Sequence, residues 1–303
     1  MRGRDLISIA DLSALELTRV LDTAMALKDA GRQPLLAGKT LALVFEKPSL
    51  RTRVSFETGM MQLGGHTVFL GPDEIRLGVR ESVADCARVL SRWVDLIVVR
   101  TFSQATLEEM AAHATAPIIN GLTDLYHPCQ VLADCLTLLE HKGKLDGLKI
   151  AFIGDGNNMA HSWMEAAEKL PLTVAAACPK GYEPNADVVR GVKANGARIV
   201  VTRDVAEAAR GADVLYTDVW ASMGQESEAE SRRRVFQGYQ INRDVLALAK
   251  KDAVVMHCLP AHRGEEITDE ALEGPQSIVF DQAENRLHAQ KAIMLWLVKG
   301  FKG

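Results

Sequence analysis

From Leu41 onward the chain alternates short runs of apolar, largely β-branched residues with longer stretches of helical period. That rhythm leaves few folds open. A strand can lie parallel to its predecessor only after a crossover, a helix supplies that crossover, and helices on both faces require strands that are apolar throughout. The class is therefore α/β. Strands are expected over 41–45, 67–70, 96–99 and 117–120, with helices near 12–29, 51–63, 82–92, 104–113 and 128–141. A polar, glycine-containing stretch over 140–148 separates a second series, with strands over 149–153, 173–176, 198–201, 214–216, 253–256 and 277–280. At 303 residues the chain is long enough for two cores. The organisation predicted is two doubly wound parallel-sheet domains, residues 1–140 and 141–303. The last segment, 283–301, carries Ala292, Ile293, Leu295, Trp296, Leu297 and Val298 and reads as a long helix able to pack back across the domains.

Lys and Arg total 35 against 39 Asp and Glu, a net charge of −4, so no overall positive field draws the chain to nucleic acid or an anionic membrane. Any anion it binds has to meet locally clustered arginines. No apolar run reaches the roughly 18 to 20 residues that cross a bilayer, and no signal peptide is visible, so a cytoplasmic protein is expected. Five cysteines without zinc-ligand spacing point to reduced thiols, with neither disulfide nor metal.

Polar clusters fall repeatedly just after strands, at the carboxyl edge where open α/β sheets bind ligands. The first, Lys47-Pro48-Ser49-Leu50-Arg51-Thr52-Arg53, opens a helix with hydroxyls and guanidinium groups in its first turn. Free N–H groups and the helix dipole attract phosphate there, and Arg adds bidentate donors. The GxxxxGK[ST] of a nucleotide P-loop is missing, and a capped helix bearing surface arginines fits the same spacing. Arg100 ends its strand, and His127-Pro128-Cys129-Gln130 follows the next, with Pro at the first helical position. His127 and Gln130 then stand at a helix mouth, placed to donate to a carbonyl oxygen gaining negative charge, unless His127 is only a cap.

Gly154-Asp155-Gly156-Asn157-Asn158 invites a dinucleotide reading that fails in detail. The third glycine position is Met159, and about twenty residues on no acid ends a strand. The asparagines offer amides for a zwitterion, or a turn. Asp218-Val219-Trp220 precedes Ser222, Met223 and Gly224, and an acid beside a hydroxyl suits an ammonium group. His257-Cys258-Leu259-Pro260 ends another strand, its thiol either an inert core group or a polarizable one at a reacting centre. Arg286 adds a guanidinium after the last strand. The stretch 221–234 breaks the rhythm. It reads as a long loop suited to a lid, or as decoration in which Arg232, Arg233 and Arg234 are a solvated helix start.

Taken in order, Phe45-Glu46-Lys47-Pro48-Ser49-Leu50-Arg51-Thr52-Arg53, His127-Pro128-Cys129-Gln130, Asp218-Val219-Trp220-Ala221-Ser222-Met223-Gly224 and His257-Cys258-Leu259-Pro260 resemble the ornithine carbamoyltransferase family over nearly the whole chain. The first two motifs are similar to those of carbamoyltransferases generally, whereas the Ser-Met-Gly loop and HCLP are specific to the ornithine branch. The resemblance implies a first domain that binds carbamoyl phosphate through Ser49, Leu50, Arg51, Thr52, Arg100, His127, Gln130 and Arg286. It implies a second that binds ornithine through Asn158, Asp218, Ser222 and Met223, with Cys258 and Leu259 between the substrates. Catalytic roles fall to Arg100, His127 and Cys258. Also implied are a last helix, about 284–301, returning to the first domain, and a homotrimer with sites near its subunit interfaces. No cofactor and no metal are implied.

Leu50 stands where many relatives have Thr, a change of little consequence where backbone N–H groups hold the phosphate. Arg76 departs from the family's pattern, in which Gln or His stands there to reach a neighbouring subunit's phosphate, and an Arg could make the same contact. The activity implied is transfer of the carbamoyl group of carbamoyl phosphate to the δ-amine of L-ornithine, giving L-citrulline and phosphate, in arginine metabolism. A carbamoyltransferase using putrescine, acetylated ornithine or aspartate, a nicotinamide oxidoreductase and a noncatalytic amino-acid sensor are the alternatives.

Overall fold

The computed structural model describes residues 4–222 and 224–300. The chain packs as two compact units, one built from residues up to Leu136 together with those from Glu284 onward, the other from Thr137–Ala283. In the first unit the elements run α1 (Ala14–Ala30), β1 (Thr40–Phe45), α2 (Leu50–Gln62), β2 (His66–Leu70), α3 (Val83–Leu90), β3 (Leu96–Arg100), α4 (Gln104–His113), β4 (Ile118–Leu122) and α5 (Pro128–Lys142). The strands pair in parallel in the order β2-β1-β3-β4. Central β3 is buried at every position and β1 at all but Thr40, as strands covered on both faces must be, whereas edge strand β2 is partly exposed along its length. Ser13, Ser49, Ser82 and Ser103 start α1 to α4 by accepting a backbone N–H from the first turn. Ala42, Val44, Ile97, Val99, Leu107 and Ile118 belong to one buried cluster, and each large aliphatic chain in it stabilises by about 1.5–3 kcal/mol.

The second unit holds β5 (Lys149–Ile153), α6 (Asn158–Lys169), β6 (Thr173–Ala177), α7 (Ala186–Ala194), β7 (Arg198–Thr202), α8 (Val205–Ala209), β8 (Val214–Thr217), α9 (Ala229–Val235), α10 (Arg243–Leu248), β9 (Val254–His257) and α11 (Asp269–Leu272). Its strands are parallel in the order β7-β6-β5-β8-β9. Alanines at 151, 175 and 177 meet Ala208, Ala209 and Ala212, small side chains that let α8 lie close against the sheet.

The strand expected over 277–280 does not form. Ser277 makes one parallel bridge to Val255, flanked by Val255 N–H to Gln276 O (2.8 Å) and Ile278 N–H to Val255 O (3.0 Å). The chain then enters α12 (Val279–Lys299). The strand preference of Ile278, Val279 and Phe280 is worth under about 1 kcal/mol each and yields to the packing of the long helix. From Glu284 onward α12 belongs to the first unit. There the fully buried Lys291 donates to Leu27 O (3.1 Å) at the end of α1 and to Gln62 Oε1 (3.1 Å) at the end of α2. Gly59 of α2 permits that approach, since a Cβ there would meet Lys291 Cγ at 3.2 Å.

The stretch 221–234, expected as a long loop, instead contains a 3-10 turn at Glu226–Glu228 followed by α9, and Arg232 is buried, whereas the alternative reading had it solvated. Both sheets wind first one way and then the other, so strand order reverses between β1 and β3 and between β5 and β8. Such a reversal opens a crevice beyond the carboxyl ends of the strands. Among the described residues no helix is long and apolar enough to cross a membrane.

Candidate active site

In the first unit β1 leads through Glu46–Ser49 into α2, where Ser49 Oγ accepts the Thr52 N–H at 3.2 Å. Leu50 is 75% exposed, so its backbone alone is available to a ligand. Thr52 is the meeting point: its buried Oγ1 accepts from Arg286 Nη2 at 2.6 Å and from Arg100 Nη1 at 3.3 Å. Arg100 is aimed by a bulge. Val99 pairs with Asn120 but Arg100 with Leu122, and the skipped Gly121 has no room for a side chain, since a Cβ would lie 2.9 Å from Val98 Cγ1. Of the motif's other cations, Arg53 turns outward over the Phe69 ring (3.6 Å) to pair with Glu57 (3.0 Å), and Lys47 pairs with Asp124 above the Phe102 ring.

His127 is buried at the mouth of α5. Burial first, then the charges of Arg286, Arg100 and Arg51, hold its pKa well below the usual histidine value. At neutral pH it is an uncharged imidazole, with one ring nitrogen a donor and the other an acceptor. Burial likewise pushes the Cys129 thiol up to about 12 and leaves it inert. Three guanidinium groups at the first turn of a helix, those of Arg100 and Arg286 buried and that of the half-buried Arg51, are arranged for an anion. Gln130 Nε2 donates to Asp134 Oδ1 at 2.8 Å, and Oε1, fully buried, has no hydrogen-bond partner among the described residues. The residue therefore has an acceptor without a partner, and its Nε2 carries a second hydrogen besides the one given to Asp134.

In the second unit Asn157 caps α6 through Oδ1, which accepts from Met159 and Ala160, while its Nδ2 donates to Asp218 Oδ2 at 2.7 Å. The other carboxylate oxygen of Asp218 accepts from the Val219 N–H (2.8 Å) and from Cys258 Sγ (3.1 Å). Asp218, buried, is thus aimed by three donors, with Asn158 half-buried at the first position of α6. Ser222 is half-buried and fixed through its backbone to Gln225. Met223 lies outside the described residues. Leu259 holds φ at 59°, a region that favours glycine, and its N–H donates to His257 Nδ1 at 2.8 Å while His257 Nε2 meets the buried Glu266 at 3.0 Å.

Two residues outside the expected set organise this half. Arg232, on α9, donates through Nη1 to Asp155 Oδ2 and Trp220 O, both at 2.9 Å, and through Nε to Glu228 at 3.0 Å, with its guanidinium over the Tyr182 ring. Burial pushes the Asp155 carboxyl up to about 6 against the pull of Arg232, and Asp218 and Glu228 add to the rise. One guanidinium therefore ties together the ends of β5, β8 and α9. A signal existed in the i,i+4 pair Glu228–Arg232, but three successive arginines hid which was buried.

The space over Gly156 that a dinucleotide would need is filled by the chain itself, since a Cβ there would lie 2.2 Å from Pro184 N. Asp218, His257 and Cys258 place ligand-capable atoms within 4.8 Å of one another, yet each is committed to the contacts described above, which a metal ion would have to displace. Arg76 is exposed in the turn after β2, where its carbonyl accepts from Val79 and Arg80. The structure thus gathers Ser49, Arg51, Thr52, Arg100, His127 and Arg286 in the first unit, and Asn158, Asp218 and Cys258 around one strand-end crevice in the second.

Residues 4–140 match the family model described as aspartate/ornithine carbamoyltransferase, carbamoyl-P binding domain, and residues 146–297 match its Asp/Orn binding domain. An ornithine carbamoyltransferase from Syntrophus aciditrophicus is 55% identical over 300 residues, covering 97% of this chain and 99% of the relative. One from Thermococcus kodakarensis is 49% identical over 310 residues, covering 100% and 98%. Among solved structures, the ornithine carbamoyltransferase from Pyrococcus furiosus aligns with a TM-score of 0.94 at 49% identity, covering 99% of each chain. The anabolic ornithine carbamoyltransferase from Campylobacter jejuni aligns at 0.93 and 38% identity, covering 97% of this chain and 98% of its own. The chain belongs to the aspartate/ornithine carbamoyltransferase family.

Proposed function

We propose that this chain transfers the carbamoyl group of carbamoyl phosphate to the δ-amine of L-ornithine, giving L-citrulline and phosphate, as a cytoplasmic enzyme of arginine metabolism. The observation that carries this reading is the convergence of Arg100 and Arg286 on the Thr52 hydroxyl, beside a neutral His127 and in the first turn of α2. Residues 1–140 form the carbamoyl-phosphate domain, and residues 141–303 the ornithine domain, with the last helix returning to the first. Phosphate lies against Ser49, Leu50, Arg51 and Thr52, and Arg286 neutralises it as its bond breaks. Thr52, Arg100 and His127 polarise the carbamoyl carbonyl, each such donor being worth about 10²–10³ in rate. Asp218 takes the α-ammonium group with help from Asn158, Ser222 and Met223, and Cys258 aligns the δ-amine.

The amine nitrogen forms its bond to the carbamoyl carbon, the carbon–oxygen bond to phosphate breaks with its electron pair leaving on phosphate, and the amine's surplus proton ends there too. No covalent enzyme intermediate is needed; the chain contributes placement and charge. An alkyl amine of pKa about 10.4 is neutral in roughly one molecule in a few thousand at pH 7, so the departing phosphate serves as the base at hand. The assembly proposed is a homotrimer in which Arg76 reaches a neighbouring subunit's phosphate, without nucleic-acid or membrane partners. The test is citrulline formation from carbamoyl phosphate with ornithine, putrescine, N-acetylornithine and aspartate side by side. Turnover with ornithine alone supports the reading, and preference for another amine overturns it.

A further inference from the structure

The direction in which the His127 side chain leaves the backbone is set by the loop before it, residues 123–126. That loop starts against the exit of β3, where the Thr101 N–H donates to Leu122 O (3.0 Å) and the Asp124 N–H to Phe102 O (2.9 Å). Thr123 closes it. The Thr123 N–H donates to Tyr126 O at 3.0 Å, and the buried Oγ1 accepts from the Tyr126 N–H (3.1 Å) and the Leu125 N–H (3.3 Å). A hydroxyl has one hydrogen and two lone pairs, so both N–H groups can be served only if the hydrogen points elsewhere. It points to Gln104 Oε1, 2.7 Å away, in preference to Tyr126 O at 3.5 Å. Gln104, the first residue of α4, has its amide nitrogen committed to Glu108 Oε1 at 3.1 Å, which leaves its oxygen for Thr123. One hydroxyl thus closes the loop and moors it to α4, immediately before His127 opens α5 by accepting the Gln130 N–H at 3.2 Å.

We propose that Thr123 is a positioning residue for carbamoyl transfer: its hydroxyl, oriented by Gln104, fixes the loop that holds the His127 ring where the carbamoyl oxygen gains charge. This rests on the carbamoyl-transfer reading above. Thr123 touches no substrate in that reading and acts through His127. Without the hydroxyl the N–H groups of the half-buried Leu125 and Tyr126 lose their acceptor inside the loop, and His127 moves as the loop relaxes. A displacement of about 1 Å in a donor of this kind costs about 10² in rate. Arg51, Thr52 and Arg100 stand on α2 and β3, outside the loop, and keep their places.

The experiment measures kcat and both KM values in the citrulline assay, with thermal unfolding alongside, for the wild type, Thr123→Val, Thr123→Ser, His127→Asn and the double variant Thr123→Val with His127→Asn. Thr123→Val keeps the branched shape and removes the hydroxyl; kcat is expected to fall about 10²-fold while KM for ornithine stays within about twofold. Thr123→Ser, which keeps the hydroxyl, is expected within about threefold of the wild type. In the His127→Asn background Thr123→Val is expected to cost less than about threefold more, because the group it displaces is already gone. A merely structural role would lower thermal stability and repeat its full loss of kcat on top of His127→Asn. That repetition overturns the proposal, as does a Thr123→Val enzyme within about threefold of the wild type or a Thr123→Ser enzyme as impaired as Thr123→Val. If Thr123→Val does not fold, Gln104→Met removes the acceptor of the hydroxyl hydrogen and leaves Thr123 in place. Its kcat is then expected to fall about tenfold, with no further loss on His127→Asn, and an unchanged kcat overturns the proposal. A wild type that forms no citrulline refutes the carbamoyl-transfer reading itself, and is seen before any variant is made.

Discussion

At the reversal of the first sheet, the groups beyond β1 and β3 are cations and N–H donors: Arg51, Arg100, joined by Arg286, and the first turn of α2. At the reversal of the second, the groups beyond β5 and β8 are Asp155, Asn157, Asn158 and Asp218, acids and amides. The backbone device is the same, and the charges gathered there are opposite. Burial favours the neutral form in both; around His127 cations add to it, and around Asp155 the acids Asp218 and Glu228 add to it, so that its carboxyl stands at about 6 even with Arg232 against it. Strand order therefore decides where each unit takes a ligand, and a handful of side chains decides which charge it takes.

The sharpest way to break this contrast is at Arg51. Arg51→Lys keeps the charge but loses the fork, and should lower kcat/KM for carbamoyl phosphate by about 10³ while leaving KM for ornithine nearly unchanged. Near-normal turnover would remove the bidentate phosphate role. In the second unit Asp218→Asn should raise KM for ornithine by about 10² and spare KM for carbamoyl phosphate, since a hydrogen bond to a charged group is lost there; equal effects on both substrates would dissolve the division of labour.

Smaller effects follow from titration. The folded value of Asp155, about 6 against an ordinary 3.8, means that the folded chain binds this proton more tightly than the unfolded one. Its contribution to stability is fully present below about pH 4 and is lost as pH rises through 6, on the order of 3 kcal/mol. Asp155→Asn should remove that slope from urea unfolding measured between pH 4 and 7, and an unchanged slope would show that Asp155 does not titrate there. For the reaction, kcat/KM for ornithine should climb from pH 6 toward about 8 as the amine loses its proton; a flat profile with chemistry rate-limiting contradicts this. The least effect is expected in the segment before α9. Ornithine with phosphate should slow cleavage by a glutamate-specific protease within 221–228 several-fold, and equal rates with and without ligands would argue against a lid.

Much of this was readable from residues, because apolar β-branched runs and the polar clusters after them are local signals. Ser49 and Thr52 stand after β1, Arg100 at the end of β3 and His127 after β4, where the clusters pointed. What escaped depends on partners far along the chain or on orientation. Ile278 and Val279 look like strand, yet the demands of a 21-residue helix begin at Val279. Arg232 is one of three arginines, and only the distant Asp155 and Tyr182 single it out. Gln130 was visible as a polar group at a helix mouth, while its amide nitrogen is taken up by Asp134. The i,i+4 spacing of Gln and Asp was in plain view, but it states adjacency without saying which atom is left over.

The direct test is a crystal structure with carbamoyl phosphate bound. Phosphate oxygens within hydrogen-bond distance of the backbone N–H groups of Leu50, Arg51 and Thr52 and of the Arg51 and Arg286 guanidinium groups, with the carbonyl oxygen against Thr52, Arg100 and His127, are the predicted result. Carbamoyl phosphate seated elsewhere at saturating concentration, with Arg100 and Arg286 still closed on the Thr52 hydroxyl, would contradict it.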